Sequence, residues 1–513
     1  MDVDLAIVGS GFGGSILAMI ARRLGLRVAL LERGRHPRFA IGESSSPLAG
    51  ILLEQLADRY DLPRLKPLAA FGAWQRSYPD VVCGLKRGFT YFKHEAGRPF
   101  SVAADRANQL LVAASPNDEV SDTHWLRADV DAFLMREAVA AGAEYADEVE
   151  LDAVEWTAGG LPVLTGRRQG APIRLAARGI VDATGPRGFL SRALAIESRP
   201  FDRYPDTQAL FSHFTGVARC DEMPEYAGAG LPGDAPPFPV DDAALHHVFD
   251  GGWMWVLRFG NGVTSAGVAV VDTLACELRL AEGEPAWHRL LDRFPSVRTQ
   301  FADALPARRF DWMPRLSYRA ASAAGPRWAL LPSAAAFVDP LFSTGFPLTL
   351  LGIERLAALI ESRAFFDEPG SLDSYSATTL AEAEQTARFV AGCYAGFSRF
   401  DDFVQYSMFY FAAASYAEMA RRVAPARAAG FLRAADPVFA AALCELSPAV
   451  RRSESEALAD RVRLAVDAVN VAGLCEPRKR NWYAADAADA IAGAPKLGVP
   501  PGEIAAALAA LGL

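Results

Sequence analysis

Val3-Asp4-Leu5-Ala6-Ile7-Val8 runs straight into Gly9-Ser10-Gly11-Phe12-Gly13-Gly14. The first six residues form the short, nearly continuous apolar run of a parallel strand buried on both faces. An apolar helical stretch, Ile16–Leu24, comes next, and Arg27–Leu31 reads as a second strand that ends in Glu32. G-x-G-x-x-G thus stands between strand and helix, with an acid at the end of the second strand. In such a βαβ unit Gly9 permits the tight turn and Gly11 lets the backbone approach a pyrophosphate. Gly14 lets the helix pack on the strand. Phe12 and Gly13 sit inside the loop, and the helix N-terminus offers free N–H groups and a positive dipole end to phosphates. Glu32 is placed to accept hydrogen bonds from a ribose, with Arg33 beside it as a further contact. The unit predicts a dinucleotide site without choosing between FAD and NAD.

The rest of the 513-residue chain is too long for one ordinary compact domain. A net charge of -9 and the lack of a long Lys/Arg run argue against nucleic acid as a partner. The six cysteines lie far apart with no C-x-x-C, which excludes ribbon-type zinc sites and fits free thiols in a reducing cytoplasm. The first strand begins within a few residues of Met1, so no signal peptide is expected. No uncharged run of eighteen apolar residues suggests a membrane span. Met408–Ala414 is too short and reads as a buried helix.

Three further segments bear on the cofactor. Gly42-Glu43-Ser44-Ser45 follows the second strand, and Ile180–Gly185 reads as a strand entering a tight turn. Phe337-Val338-Asp339-Pro340-Leu341-Phe342-Ser343-Thr344-Gly345 leads into an apolar helix, Leu348–Ile360. In order and approximate spacing these resemble the flavin-dependent monooxygenase and halogenase superfamily, the tryptophan-halogenase-like proteins among them. Arg127, opening a helix that runs to Ala141, matches an arginine which that family keeps near the ribityl chain. The resemblance covers residues 1–200 and 325–365. It implies FAD, held by Gly9, Gly11, Phe12, Gly13, Gly14, Glu32, Arg33, Glu43, Ser44, Arg127, Asp182, Gly185, Asp339 and Gly345. One departure stands out: Ser333 occupies the place of the family's aspartate to the ribityl hydroxyls, which implies a looser hold on the flavin.

The resemblance also implies an α/β fold. An FAD-binding Rossmann-like three-layer domain would run over 1–200, with 100–150 as an inserted segment, and resume over 326–370. A β-rich substrate domain is expected over 201–325, where Leu210–Val217, Trp253–Phe259 and Val263–Val270 are strand runs. Asn261-Gly262 between the last two predicts a two-residue hairpin turn. Residues 217–243, rich in Gly and Pro, read as a flexible cover. Residues 371–513 turn helical and Ala-rich, with an aromatic stripe (Phe400, Phe403, Tyr406, Tyr410) at core spacing. There is no second dinucleotide motif, so reduced flavin is expected from a separate reductase.

For the chemistry, Cys83–Phe92 resembles the strand on which halogenases carry a catalytic lysine, and Lys86 is the matching residue. Reduced FAD and oxygen would oxidise a halide to hypohalous acid, which Lys86 would deliver. A partly desolvated lysine suits this work as donor and nucleophile. The competing reading is a surface lysine in a basic segment beside Arg87 and Lys93. Thr344 and Gly345 match the residues whose backbone N–H groups hold the halide, an anion nest without formal charge. Phe342 stands where tryptophan halogenases have a glutamate, which points to phenol- or pyrrole-type substrates, small or carried on a protein. Trp253-Met254-Trp255-Val256-Leu257-Arg258 keeps both tryptophans of the W-x-W-x-I-P motif but loses its Ile-Pro end. Trp253 and Trp255 would face the substrate pocket, or merely pack one face of a strand. That partial loss leaves hydroxylation open, along with flavin reduction of an apolar substrate and a non-catalytic flavoprotein partner. His94, His124, His213 and the pair His246-His247, on a strand edge, have no partner visible in the sequence. No pattern supports a metal site.

Overall fold

The computed structural model describes residues 2–226, 235–428, 430–446 and 455–511. The opening motif folds as read. Asp2–Val8 is a strand, Phe12–Arg23 a helix and Val28–Leu31 a parallel neighbour. Ala171–Asp182 flanks the first strand on its other side, also in parallel, and Trp328–Leu330 extends the sheet beyond it. Glu144–Ala146 closes the opposite edge. Leu5 and Ile7 pack toward the helices Phe12–Arg23, Arg127–Ala140 and Gly345–Glu361. Ala6 and Val8 belong to a separate cluster with Val149, Leu164 and Leu175 from antiparallel strands laid over the other face. Both faces are therefore covered, which is why the strand is apolar at almost every position.

A second, nine-stranded sheet carries Thr207–Thr215, Thr264–Val271, Gly252–Arg258 and Ala244–Phe249 in that order. It continues through Gly88–Lys93 and Gln109–Ala113 to Trp482–Tyr483, so strands from the first 200 residues and from the C-terminal region complete it. Alternation again sorts its side chains. Trp253, Trp255 and Leu257 face the parallel-sheet domain, while Met254 and Val256 face a core roofed by the helices Asp272–Leu278, Glu284–Arg293 and Pro295–Gln300. Those helices fall inside the stretch expected to be β-rich; the back of the sheet needed a cover. The hairpin at Asn261-Gly262 also differs from expectation. Gly262 alone there has a positive φ (82°), and its N–H bonds to Phe259 O, so Gly260, Asn261 and Gly262 make a three-residue loop.

The C-terminal region is helical, led by the long pair Asp373–Gly396 and Phe400–Val423. Met408–Ala413 is buried within the second of these, and Phe403 and Tyr406 are core, as the stripe suggested. Residues 227–234 of the expected Gly/Pro-rich cover, and 429, 447–454, 512 and 513 of the expected helical C-terminal region, lie outside the described residues. Among the described residues no helix is long and apolar enough to cross a membrane, and no cluster of His, Cys, Asp and Glu could hold a metal ion.

Candidate active site

The two sheets and the helix Gly345–Glu361 enclose a cavity of about 350 Å³. Gly11, Phe12, Gly13, Glu43, Ser44, Arg127, Gly185, Asp339, Thr344 and Gly345 all line it, so segments more than 300 residues apart converge as expected. Gly9 and Gly14 lie behind the wall and shape it. Gly9 has φ 100°, and a Cβ on Gly14 would sit 1.9 Å from Gly9 O. Only glycine permits the helix to start so close to the turn.

Arg127 is the hub of the loop side. Its guanidinium grips Asp131 with two hydrogen bonds (2.9 and 2.8 Å) and donates to the carbonyls of Ile41 and Gly42. Asp131 in turn accepts the Phe12 N–H at 3.1 Å. The sequence reading missed Asp131, although its i+4 spacing from Arg127 on a helix is a legible pairing. Arg38 was missed as well. It lines the cavity and bonds Glu32 at 2.9 Å. Burial alone would raise the Glu32 pKa, but Arg38 and the N–H groups of Gly34 and Ser10 prevail and hold it at about 2. Glu32 reaches the cavity only through Arg38. Arg33 is exposed and outside the cavity lining.

Asp182 also departs from expectation. Its buried carboxylate accepts from Thr184 N, Thr184 Oγ1 and Leu190 N, so it fastens its own turn, and Ala183–Pro186 present the wall instead. Asp339 does line the cavity and accepts from Tyr394 Oη (2.8 Å), Leu341 N and Tyr204 Oη. Burial outweighs these donors and pushes its pKa up to about 7. Glu43 accepts from His213 Nε2 at 2.8 Å. Its other oxygen, Oε2, has no partner, nor has Arg38 Nε, and both residues line the cavity. A polar, phosphate-bearing ligand fits such a set of unpaired donors and acceptors. Ser333 lies in the same wall.

The histidines are all partnered, His288 on the surface only by Glu284 at 3.9 Å. His246-His247 is not at a sheet edge: its strand runs between Gly88–Lys93 and Gly252–Arg258. His247 bonds His94 and Gln300, His246 bonds Thr90 O, and burial holds the His246 pKa down at about 3. His246 lines the cavity with Trp253 and Trp255.

A second cavity of about 390 Å³ lies beyond the strands Cys83–Lys86 and Gly88–Lys93. Phe89, Tyr410 and Phe411 supply aromatic walls, alanines of the C-terminal region (Ala472, Ala484, Ala507) supply small ones, and Asp122, Glu418 and Arg422 bring charge. Phe342 lines neither cavity; it stacks flat on Tyr410 at 3.9 Å and sets the position of that ring.

Lys86 stands in the partition. It is fully buried, which rules out a surface lysine. Its ammonium donates to Ser45 O and, at 3.2 Å, to Ser343 Oγ, and Ser343 Oγ donates on to Ser44 Oγ. Two segments of the first cavity therefore hold it. On the other side its Nζ lies 4.1 Å from the centre of the Phe89 ring, in the wall of the second. Burial lowers its pKa, against the pull of Asp122 and Glu418.

No family model matches the chain. It is 30% identical over 407 residues to the monodechloroaminopyrrolnitrin halogenase PrnC of Pseudomonas fluorescens, across 77% of this chain and 68% of that protein. It is 31% identical over 368 residues to the tetracycline 7-halogenase of Kitasatospora aureofaciens, across 69% of this chain and 62% of that protein. The chain thus spans about two thirds of the length of these curated relatives. Its fold is similar to that of the halogenase PltM solved with phloroglucinol and FAD, with a TM-score of 0.81 and 23% identity over 93% of this chain and 99% of the other.

Proposed function

The chain belongs to the flavin-dependent halogenases, and on that premise we propose that it halogenates a small, electron-rich aromatic held in the second cavity. The observation that carries this reading is Lys86, buried in the partition and tied to the first cavity by Ser45 and Ser343. Bound in the first cavity and reduced, FAD supplies the activation of oxygen that oxidises halide to hypohalous acid. The backbone N–H groups at Thr344 and Gly345, where the helix begins, offer the halide a nest beside that cofactor. Gly11 and Gly13 would face the pyrophosphate, with Arg127 fixed against them by Asp131, and Arg38 and Glu43 keep unpaired atoms for further contacts.

Lys86 then passes the oxidised halogen from one cavity to the other. Its two hydrogen bonds fix the ammonium, and the partition keeps the aromatic away from the flavin. Burial among Phe89 and the neighbouring strands excludes water that would dilute the hypohalous acid. The aromatic walls suit a flat ring, and the alanines leave it space. The relatives are named for monodechloroaminopyrrolnitrin and tetracycline, and PltM was solved with phloroglucinol; this favours a phenol or pyrrole over a free amino acid. Reduced flavin comes from a separate reductase, since the chain has one dinucleotide motif.

The test supplies FAD, a flavin reductase, oxygen and bromide with a panel of phenols, pyrroles and indoles. A product with the bromine isotope doublet is the expected result. A gain of sixteen daltons that is independent of halide would overturn the reading in favour of hydroxylation.

A further inference from the structure

Four carboxylates line the second cavity, Glu54, Asp122, Glu418 and Asp486, and the halogen-transfer reading uses none of them. Asp122, on the strand Asp122–Trp125, is only 5% exposed, and its Oδ2 has no hydrogen-bond partner. Glu418 comes from the helix Phe400–Val423. Both line the cavity, and both act through space on Lys86. The other charged groups lining the cavity are Arg422 on the same helix, Glu54 on the helix Pro47–Arg59 and Asp486 at the start of the helix Ala487–Ala492; Arg422 lies 3.8 Å from Glu54. A buried carboxylate oxygen without a donor costs stability, so a donor from a ligand would relieve it.

We propose that Asp122 and Glu418 form the proton-accepting side of the second cavity, with Asp122 Oδ2 receiving the O–H or ring N–H of an uncharged aromatic substrate. This rests on the halogenase reading, which supplies hypohalous acid through Lys86. The step balances as follows. The substrate O–H or N–H proton moves to Asp122, which enriches the ring. The halogen–oxygen bond of hypohalous acid breaks as the carbon–halogen bond forms, and the oxygen leaves as water with a proton from Lys86. The ring C–H proton then passes by Glu418 to Lys86, and Asp122 returns its proton to the substrate heteroatom. Halogenated ring and water are the products. A substrate carrying its own carboxylate is disfavoured, because four acids against one arginine line the cavity.

Burial raises the pKa of both acids, that of Glu418 to about 8, so the pair gains its accepting form near neutrality. Product formation should therefore rise with pH until Lys86 loses the proton it donates, and Asp122→Asn should shift the rising limb. The decisive probe is donor preference. Pyrrole and N-methylpyrrole differ little in ring reactivity. The full-length enzyme with FAD, reductase and bromide should prefer pyrrole at least tenfold in kcat/KM. Asp122→Asn and Glu418→Gln should both lower product formed per oxygen consumed, and Asp122→Asn should erase the preference. Equal use of both members by wild type, or a preference kept in Asp122→Asn, would overturn the proposal. Because the wild-type preference is read directly, a misfolded variant does not rescue it. Hydroxylated products in place of brominated ones would sink the halogenase reading, while the donor preference would still report on the cavity.

Discussion

Lys86→Met separates a lysine kept for chemistry from one kept for structure. A lysine of ordinary pKa 10.5 that burial brings down to about 8 is charged in both states at pH 7. The sign follows from proton counts. Between the two values the unfolded chain binds the extra proton, so stability rises with pH through that window and is lowest below it. The charged Lys86 therefore costs stability at pH 7, on the order of a few kcal/mol. Methionine of similar length removes that cost and forfeits two hydrogen bonds, to Ser45 O and Ser343 Oγ, at about 1 kcal/mol each. The net expectation is a variant as stable as wild type or more stable by about 1 kcal/mol. Urea unfolding at pH 7 measures this, and the bromide assay measures product in parallel. Product formation should fall at least a hundredfold while oxygen consumption persists. A loss of more than about 2 kcal/mol would mark Lys86 as a structural pillar whose removal breaks a buried network. Bromination above a tenth of the wild-type rate would refute its part in halogen transfer.

Asp339→Asn isolates one buried acid in FAD-free protein. Its raised pKa, about 7, means the folded state keeps a proton that the unfolded state has lost, so its contribution declines as pH rises from about 4 to about 7. The asparagine does not titrate, so from pH 5.5 to 8 the variant should gain roughly 2 kcal/mol relative to wild type; a constant difference would refute the assignment. Gly14→Ala drives a Cβ to 1.9 Å from Gly9 O, which the turn cannot absorb without moving. Flavin absorbance after gel filtration with added FAD should fall at least tenfold, and undiminished retention would mean the loop does not carry the cofactor.

The local parts of this protein were legible because they obey local rules. The strand, the glycine loop and the helix that follows it are specified by periodicity and by two positions where a side chain cannot fit. Asp182 was misread for the same reason that its motif was recognised. The D-A-T-G pattern marks a turn, but one string of residues serves whether the acid faces a ligand or ties Thr184 and Leu190 in place. Deciding between them needs the direction of one side chain. The helices over Asp272–Gln300 escaped because their apolar positions serve a sheet whose back face the sequence does not announce.

The second cavity shows where reading along the chain gives out. Its acids come from positions 54, 122, 418 and 486, the lysine behind its wall from 86, and the serine that fixes that lysine from 343. None of these is a neighbour in sequence, and none has a spacing that a motif could record. What can be read is the oddity of each one alone: a lysine in an apolar strand, and a lone acid late in a helix of aromatic and small residues. Each is costly to bury unless something compensates it. Phe342 gives the complementary lesson. The sequence places it where some relatives carry an acid, which suggests a substrate contact; in the fold it stacks on Tyr410 and leaves the cavity to the ring it supports. The carboxylates absent from that position enter from Asp122 and Glu418, on other elements. An acid lost from a motif can therefore be supplied by the fold, and the place to look for it is around the buried charge that needs it.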